Sequence, residues 1–88
     1  MPYRRWEVDW SGKNHAIELK WSLAECSGEI KVDGQVAKSW SGARSMPGAI
    51  AFEMEGTQAT FKRKRAFMFI EDYDLHLGGK KYEAIVTS

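Results

Sequence analysis

Apolar and polar residues alternate along most of this chain, and glycine interrupts the alternation at nearly even intervals. Gly12, Gly34, Gly56 and Gly79 stand 22, 22 and 23 residues apart. Apolar residues occupy the positions four and two before each one: Val8 and Trp10, Ile30 and Val32, Phe52 and Met54, Leu75 and Leu77. Side chains two apart point to the same side of a strand, and glycine accepts the positive φ of a tight hairpin turn. The pattern predicts about eight strands joined mainly by hairpins.

Taken in order, the first strand is expected over 4–11, with Trp6, Val8 and Trp10 on one face and Arg5, Glu7 and Asp9 on the other. The second runs over 15–23, where Ile17, Leu19, Trp21 and Leu23 alternate with Ala16, Glu18, Lys20 and Ser22. Its Ala, Leu, Glu and Lys also suit a helix, but Lys20 would interrupt the apolar stripe, so a strand is the better fit. Asp33-Gly34 is the strongest hairpin doublet, and it leads from Ile30 and Val32 into Val36 to Trp40. The stretch Ser41 to Gly48 is the longest break and the natural crossing between sheets. Ile50, Phe52 and Met54 make a fifth strand, which Glu55-Gly56 turns into Ala59 and Phe61. The basic run Lys62-Arg63-Lys64-Arg65 is expected to separate the sixth strand from the seventh. Phe67, Phe69, Tyr73, Leu75 and Leu77 then share one parity, which predicts a single long bent strand with a bulge near Glu71 and Asp72. Gly78-Gly79 turns it into Tyr82, Ala84 and Val86. No segment demands a helix. The expected fold is an all-β, antiparallel β-sandwich, with a small closed β-barrel as the alternative. The repeat is one of hairpin length, since the residues after each glycine do not agree.

Size and charge narrow the function. Eighty-eight residues leave room for one domain, 1–88, and none for a separate catalytic one. Eleven aromatics, four of them Trp, supply the large side chains that so small a core needs. Trp6, Trp10 and Trp21 fall on the apolar parity and are expected to form a shared core cluster. Thirteen Lys and Arg against twelve Asp and Glu give a net charge of +1, which disfavours a dedicated nucleic-acid or anionic-membrane binder. The single cysteine, Cys26, has no internal disulfide partner, which suits a reducing compartment. No apolar run reaches the ~18 residues of a membrane span, and the start Met-Pro-Tyr-Arg-Arg-Trp lacks the apolar stretch of a signal peptide. The simplest expectation is a soluble cytoplasmic protein.

The order of motifs resembles a repeat of the Fas apoptosis inhibitory molecule family. The resemblance is carried by Trp6-Glu-Val8, by Gly12-Lys-Asn-His15-Ala-Ile17-Glu18-Leu19, and by Gly28-Glu-Ile30-Lys-Val32-Asp33-Gly34. It continues through Ile50-Ala-Phe52-Glu-Met54-Glu-Gly56-Thr-Gln-Ala59-Thr and Tyr73-Asp-Leu75-His-Leu77-Gly78-Gly79-Lys-Lys-Tyr82. Its distinctive elements are the His-x-Ile-Glu after the first turn and the Val-Asp-Gly hairpin. The resemblance implies an antiparallel β-sandwich that works as a binding module, without catalytic residues. Animal relatives are linked to restraint of death-receptor signalling and to protection against protein aggregation. They carry two such repeats and this chain holds one, so it must shield its own sheet faces or pair with another copy.

Candidate chemistry is sparse. Lys62, Arg63, Lys64 and Arg65 could contact phosphates in a salt-sensitive, sequence-independent way, but the near-zero net charge favours a solvated turn that discourages edge pairing. Asp72, Asp74 and His76 share a strand face and offer oxygen and nitrogen ligands. They lack a fourth partner at metal-site spacing, so no metal is expected, and neither is a cofactor. His15 is expected to hydrogen-bond near the first turn. Cys26 sits in a turn with no nucleophile motif around it. Trp40 ends its strand beside the 41–48 loop and is the best candidate for an exposed, partner-anchoring aromatic. Two functions result. The first is a non-enzymatic protein-interaction module, with a homodimer as one version. The second is a small-ligand, carbohydrate-binding β-sandwich using Trp40 and Arg44.

Overall fold

The computed structural model describes residues 2–22, 24–42, 48–67 and 70–87. Among these the chain is all strand and turn. The strands are β1 (Tyr3–Trp10), β2 (Lys13–Ser22), β3 (Ser27–Val32), β4 (Gln35–Trp40), β5 (Ala49–Met54), β6 (Thr57–Phe67), β7 (Ile70–Leu77), β8 (Lys80–Tyr82) and β9 (Val86–Thr87). They form two antiparallel sheets, ordered β4-β3-β2-β1-β9 and β5-β6-β7-β8. No strand of one sheet pairs with a strand of the other among the described residues, so the two-sheet expectation holds over the closed barrel.

The glycine rhythm is the hairpin rhythm. Each of the four marked turns is a two-residue loop, flanked by the directly paired Trp10 and Lys13, Val32 and Gln35, Met54 and Thr57, and Leu77 and Lys80. Both central residues have positive φ in every case: Ser11 and Gly12, Asp33 and Gly34, Glu55 and Gly56, Gly78 and Gly79. That is the type I′ geometry, whose twist matches the strands it joins.

Two compact units result, one of Met1–Met46 with Ala84–Ser88 and one of Pro47–Glu83. In the first, Trp6, Val8, Ile17, Leu19, Trp21 and Ile30 are buried. They lie in register, Trp6 opposite Ile17 and Leu19 opposite Ile30. Trp10 is only half-buried, so the expected cluster of three tryptophans reduces to Trp6 and Trp21. Trp10 stands at the end of β1, next to the turn, opposite Lys13. In the second unit, Ile50, Phe61 and Leu75 form one buried cross-strand row, and Phe52, Ala59 and Leu77 the next. The rings of Phe52 and Phe61 stack with centroids 5.2 Å apart. Burying a side chain of this size contributes about 1.5–3 kcal/mol, so both faces are strongly specified.

Two expectations need correction. The basic run is not a turn, because β6 continues through it to Phe67. The expected long bent strand is in fact split. Phe67 pairs with Ile70, so the chain reverses between them, and the register irregularity falls at Arg65 and Phe67 rather than near Glu71 and Asp72. The misreading has a physical cause: the cross-strand pairing of Lys64 with Asp72 and Lys62 with Asp74 stabilises the basic run as strand, and no local signal shows it. Leu23, Phe69 and the 43–47 part of the crossing loop, Arg44 included, lie outside the described residues.

Candidate functional site

Among the strands whose burial is fully described, β4 is the most exposed. It forms one edge of the five-stranded sheet, and every residue from Gln35 to Ser39 is exposed. Val36 is 55% exposed, an unusual position for a strand valine. In a hairpin with a two-residue turn, the flanking pair is hydrogen-bonded in both directions. The next residue out, Val36, therefore aims its backbone N–H and C=O away from β3. The edge is also guarded. The register with β3 shifts between Ile30 and Lys31, which leaves Ala37 as the extra residue of a bulge. Beyond the bulge Lys38 stands opposite the buried Ile30, so a charge occupies core-face parity at the edge. Bulges and inward charges limit indiscriminate strand pairing.

Trp40 closes this strand opposite Gly28. The missing side chain of Gly28 makes room for the ring: a Cβ added there would collide with Cζ2 and Cη2 of Trp40. Trp40 is thus half-buried against backbone, and its indole Nε1 is buried without a hydrogen-bond partner. Beside it lies an open hollow of about 290 Å³, lined by Lys20, Ser27, Gly28, Glu29 and Trp40.

At the opposite end of β4, the turn is tied down by a side-chain contact. His15 Nδ1 lies 2.7 Å from Asp33 Oδ2, and Asp33 Oδ1 accepts the Ala16 N–H at 2.9 Å. The Asp33 N–H returns to the Ala16 carbonyl at 2.8 Å. An ionised carboxylate only accepts, so His15 Nδ1 carries the proton. The hydrogen bond from His15 first, and that from Ala16 second, hold the Asp33 carboxyl below its usual value. His15 is 2% exposed. Through Asp33 it holds the turn between β3 and β4, and no substrate reaches it from solvent.

Lys62 and Lys64 share one parity of β6, opposite Asp74 and Asp72, while Arg63 and Arg65 have the other, opposite Tyr73 and Glu71. Lys64 Nζ lies 2.8 Å from Asp74 Oδ1, and that bond raises the Lys64 pKa above its usual range. Asp72 Oδ1 accepts the N–H of Tyr73. Among the described residues no group of three His, Cys, Asp or Glu is placed to hold a metal ion. Cys26 is half-buried in its turn with φ of 50°.

The feature the sequence reading missed is the partnership of His15 and Asp33. Its signals were present, since His15 shares the parity of Ile17, Leu19 and Trp21, and both residues belong to the two distinctive motifs.

Among the described residues no helix is long and apolar enough to cross a membrane. The family model described as Fas apoptotic inhibitory molecule (FAIM1) matches residues 2–88. No curated protein sequence matches the chain.

Proposed function

The chain belongs to the Fas apoptotic inhibitory molecule (FAIM1) family, and from that premise we propose that it is a non-enzymatic module that binds an extended segment of another protein along β4. The observation that carries this reading is the exposed edge from Gln35 to Ser39. An added strand gains backbone hydrogen bonds from such an edge, and a neighbouring apolar side chain supplies the anchor. Val36 provides both. The bulge at Ala37 and the inward parity of Lys38 restrict pairing to a short segment, which favours a selective partner over aggregation. The burial of His15 supports the non-enzymatic reading, because its ring is closed to a substrate arriving from solvent. A cytoplasmic setting belongs to the same proposal.

A capped hexapeptide of alternating valine and threonine tests the edge. Titrated into 15N-labelled protein, it is expected to shift the amides of Gln35 to Ser39. Val36→Pro removes an outward-facing N–H, so the fold is expected to survive while the shifts fall by about tenfold in affinity. Millimolar peptide that leaves these amides unmoved overturns the reading. Light scattering over a concentration series reads the homodimer version, and a dimer that survives Val36→Pro places the contact elsewhere.

A further inference from the structure

The five-stranded sheet has a second edge, and β9 covers only part of it. The chain joins β1 at Ile85, whose N–H reaches the Arg5 carbonyl at 2.7 Å, and then pairs with Arg5 and Arg4. No described residue pairs with β1 on that side from Trp6 to Trp10. The turn at Ser11 and Gly12 fixes how the backbone faces along this stretch. Trp10 and Lys13 flank a two-residue loop and exchange both hydrogen bonds. Alternation from that pair turns the N–H and C=O of Val8 and Trp6 toward β2, and those of Glu7 and Asp9 outward.

The side chains of the outward-facing residues are both acidic and exposed, on the face opposite to the buried Trp6 and Val8. Across from them β2 offers Ala16 to Glu7 and Asn14 to Asp9, so neither carboxylate meets a cation across that pairing. Asn14 Nδ2 donates to Asp9 Oδ1 at 3.0 Å, and Arg5 Nη2 lies 3.5 Å from Glu7 Oε2, at the end that β9 covers. We propose that the open part of β1 takes an extended segment of another protein with the pattern basic–apolar–basic. Outward N–H and C=O groups at two positions supply the backbone bonds of strand addition. The register supplies the pattern. Partner residues opposite Glu7 and Asp9 fall on the acidic face, and the residue between them falls beside Val8 on the apolar face. Opposite charges paired across strands are favourable and like charges are not. A second copy of β1 laid antiparallel here would set Glu7 against Asp9, so the edge rejects its twin. β2 and β3 lie between this edge and β4, so a ligand on one leaves the other open. The inference therefore stands apart from the β4 reading.

The probe is a capped pentapeptide of threonine–lysine–valine–lysine–threonine, and its control carries serine in place of both lysines. Each is titrated into 15N-labelled protein, and the amides of Glu7 and Asp9 are followed beside those of Gln35 to Ser39. The lysine peptide is expected to shift Glu7 and Asp9 and to bind about fivefold more tightly than the serine peptide. Replacing both acids, Glu7→Gln with Asp9→Asn, keeps the backbone edge and is expected to erase that preference. Millimolar lysine peptide that leaves the Glu7 and Asp9 amides unmoved overturns the site. Shifts confined to Gln35 to Ser39 do the same, and leave the β4 reading standing. Equal affinities for the two peptides, or a preference that survives in the double variant, overturn the basic pattern and the proposal with it. Broadening of the Glu7 and Asp9 amides on concentrating the protein alone would give the edge to a second copy and overturn it too.

Discussion

Asp33 shows how much one residue carries in a domain this small. Its backbone takes a positive φ of 52° to make the turn, and its carboxylate reaches back across the sheet to His15 and Ala16. Aspartate tolerates that backbone conformation better than most residues because its short side chain bonds locally. Its lowered pKa fixes the sign of a pH effect. The ionised form is favoured in the folded state, so its contribution is complete above the usual 3.8 and drains away as pH falls through the lower folded value. Asp33→Asn keeps the turn and the shape but loses the charge. The variant is expected to lose about 1 kcal/mol at neutral pH, a modest figure because half of the Asp33 side chain faces water. Urea midpoints measured against pH check this: the gap between variant and parent closes below pH 3.8, and a gap that stays constant refutes the assignment. The turn at Asp33 was legible in the sequence, since Asp-Gly between apolar pairs is a local signal. Its bond to His15 was not, because 18 residues separate the two and only the pairing of β2 with β3 brings them together.

At the scale of the element, the four glycine-marked hairpin turns share a geometry but not a quality of fit. Asp33-Gly34 and Gly78-Gly79 suit two consecutive positive φ values, whereas Ser11 is held at 55° with a side chain that gains nothing from it. Asn-Gly is the best natural pair for this turn. Ser11→Asn is therefore expected to raise stability by about 0.5–1 kcal/mol, read as a higher urea midpoint with an unchanged slope. A lower midpoint would mean that Ser11 makes a contact the turn geometry does not explain. The β6–β7 hairpin shows the opposite situation, an element that local reading assigns wrongly. Lys62 to Arg65 looks like a polar break because charges usually mark turns. Here Asp72 and Asp74 lie across from Lys64 and Lys62, and cross-strand pairing outweighs the weak strand propensity of lysine. Alternation also ran on from Phe67 to Leu77 without a glycine to mark the reversal that the pairing of Phe67 with Ile70 requires.

On the scale of the whole molecule, the chain leaves its first unit, builds the second, and comes back. The return is short: among the described residues β9 pairs with Arg4 and Arg5, helped by the Ile85 N–H to Arg5 carbonyl bond at 2.7 Å. Ending the chain at Glu83 removes these few backbone bonds from β1 and is expected to cost about 1–3 kcal/mol. A fall in the urea midpoint measures it, and an unmoved midpoint would show that the strap adds nothing to the first unit. The features legible from residue order alone are local in origin. Alternation sets which side chains share a face, and paired positive-φ residues set where hairpins turn, because both depend on neighbours a few positions away. Tertiary structure decided the rest. The division of the described strands into two sheets, the return of β9, and the seating of Trp40 on Gly28 all depend on contacts between residues distant along the chain. Such contacts form only once sheet registers are fixed, and no short window of sequence records them.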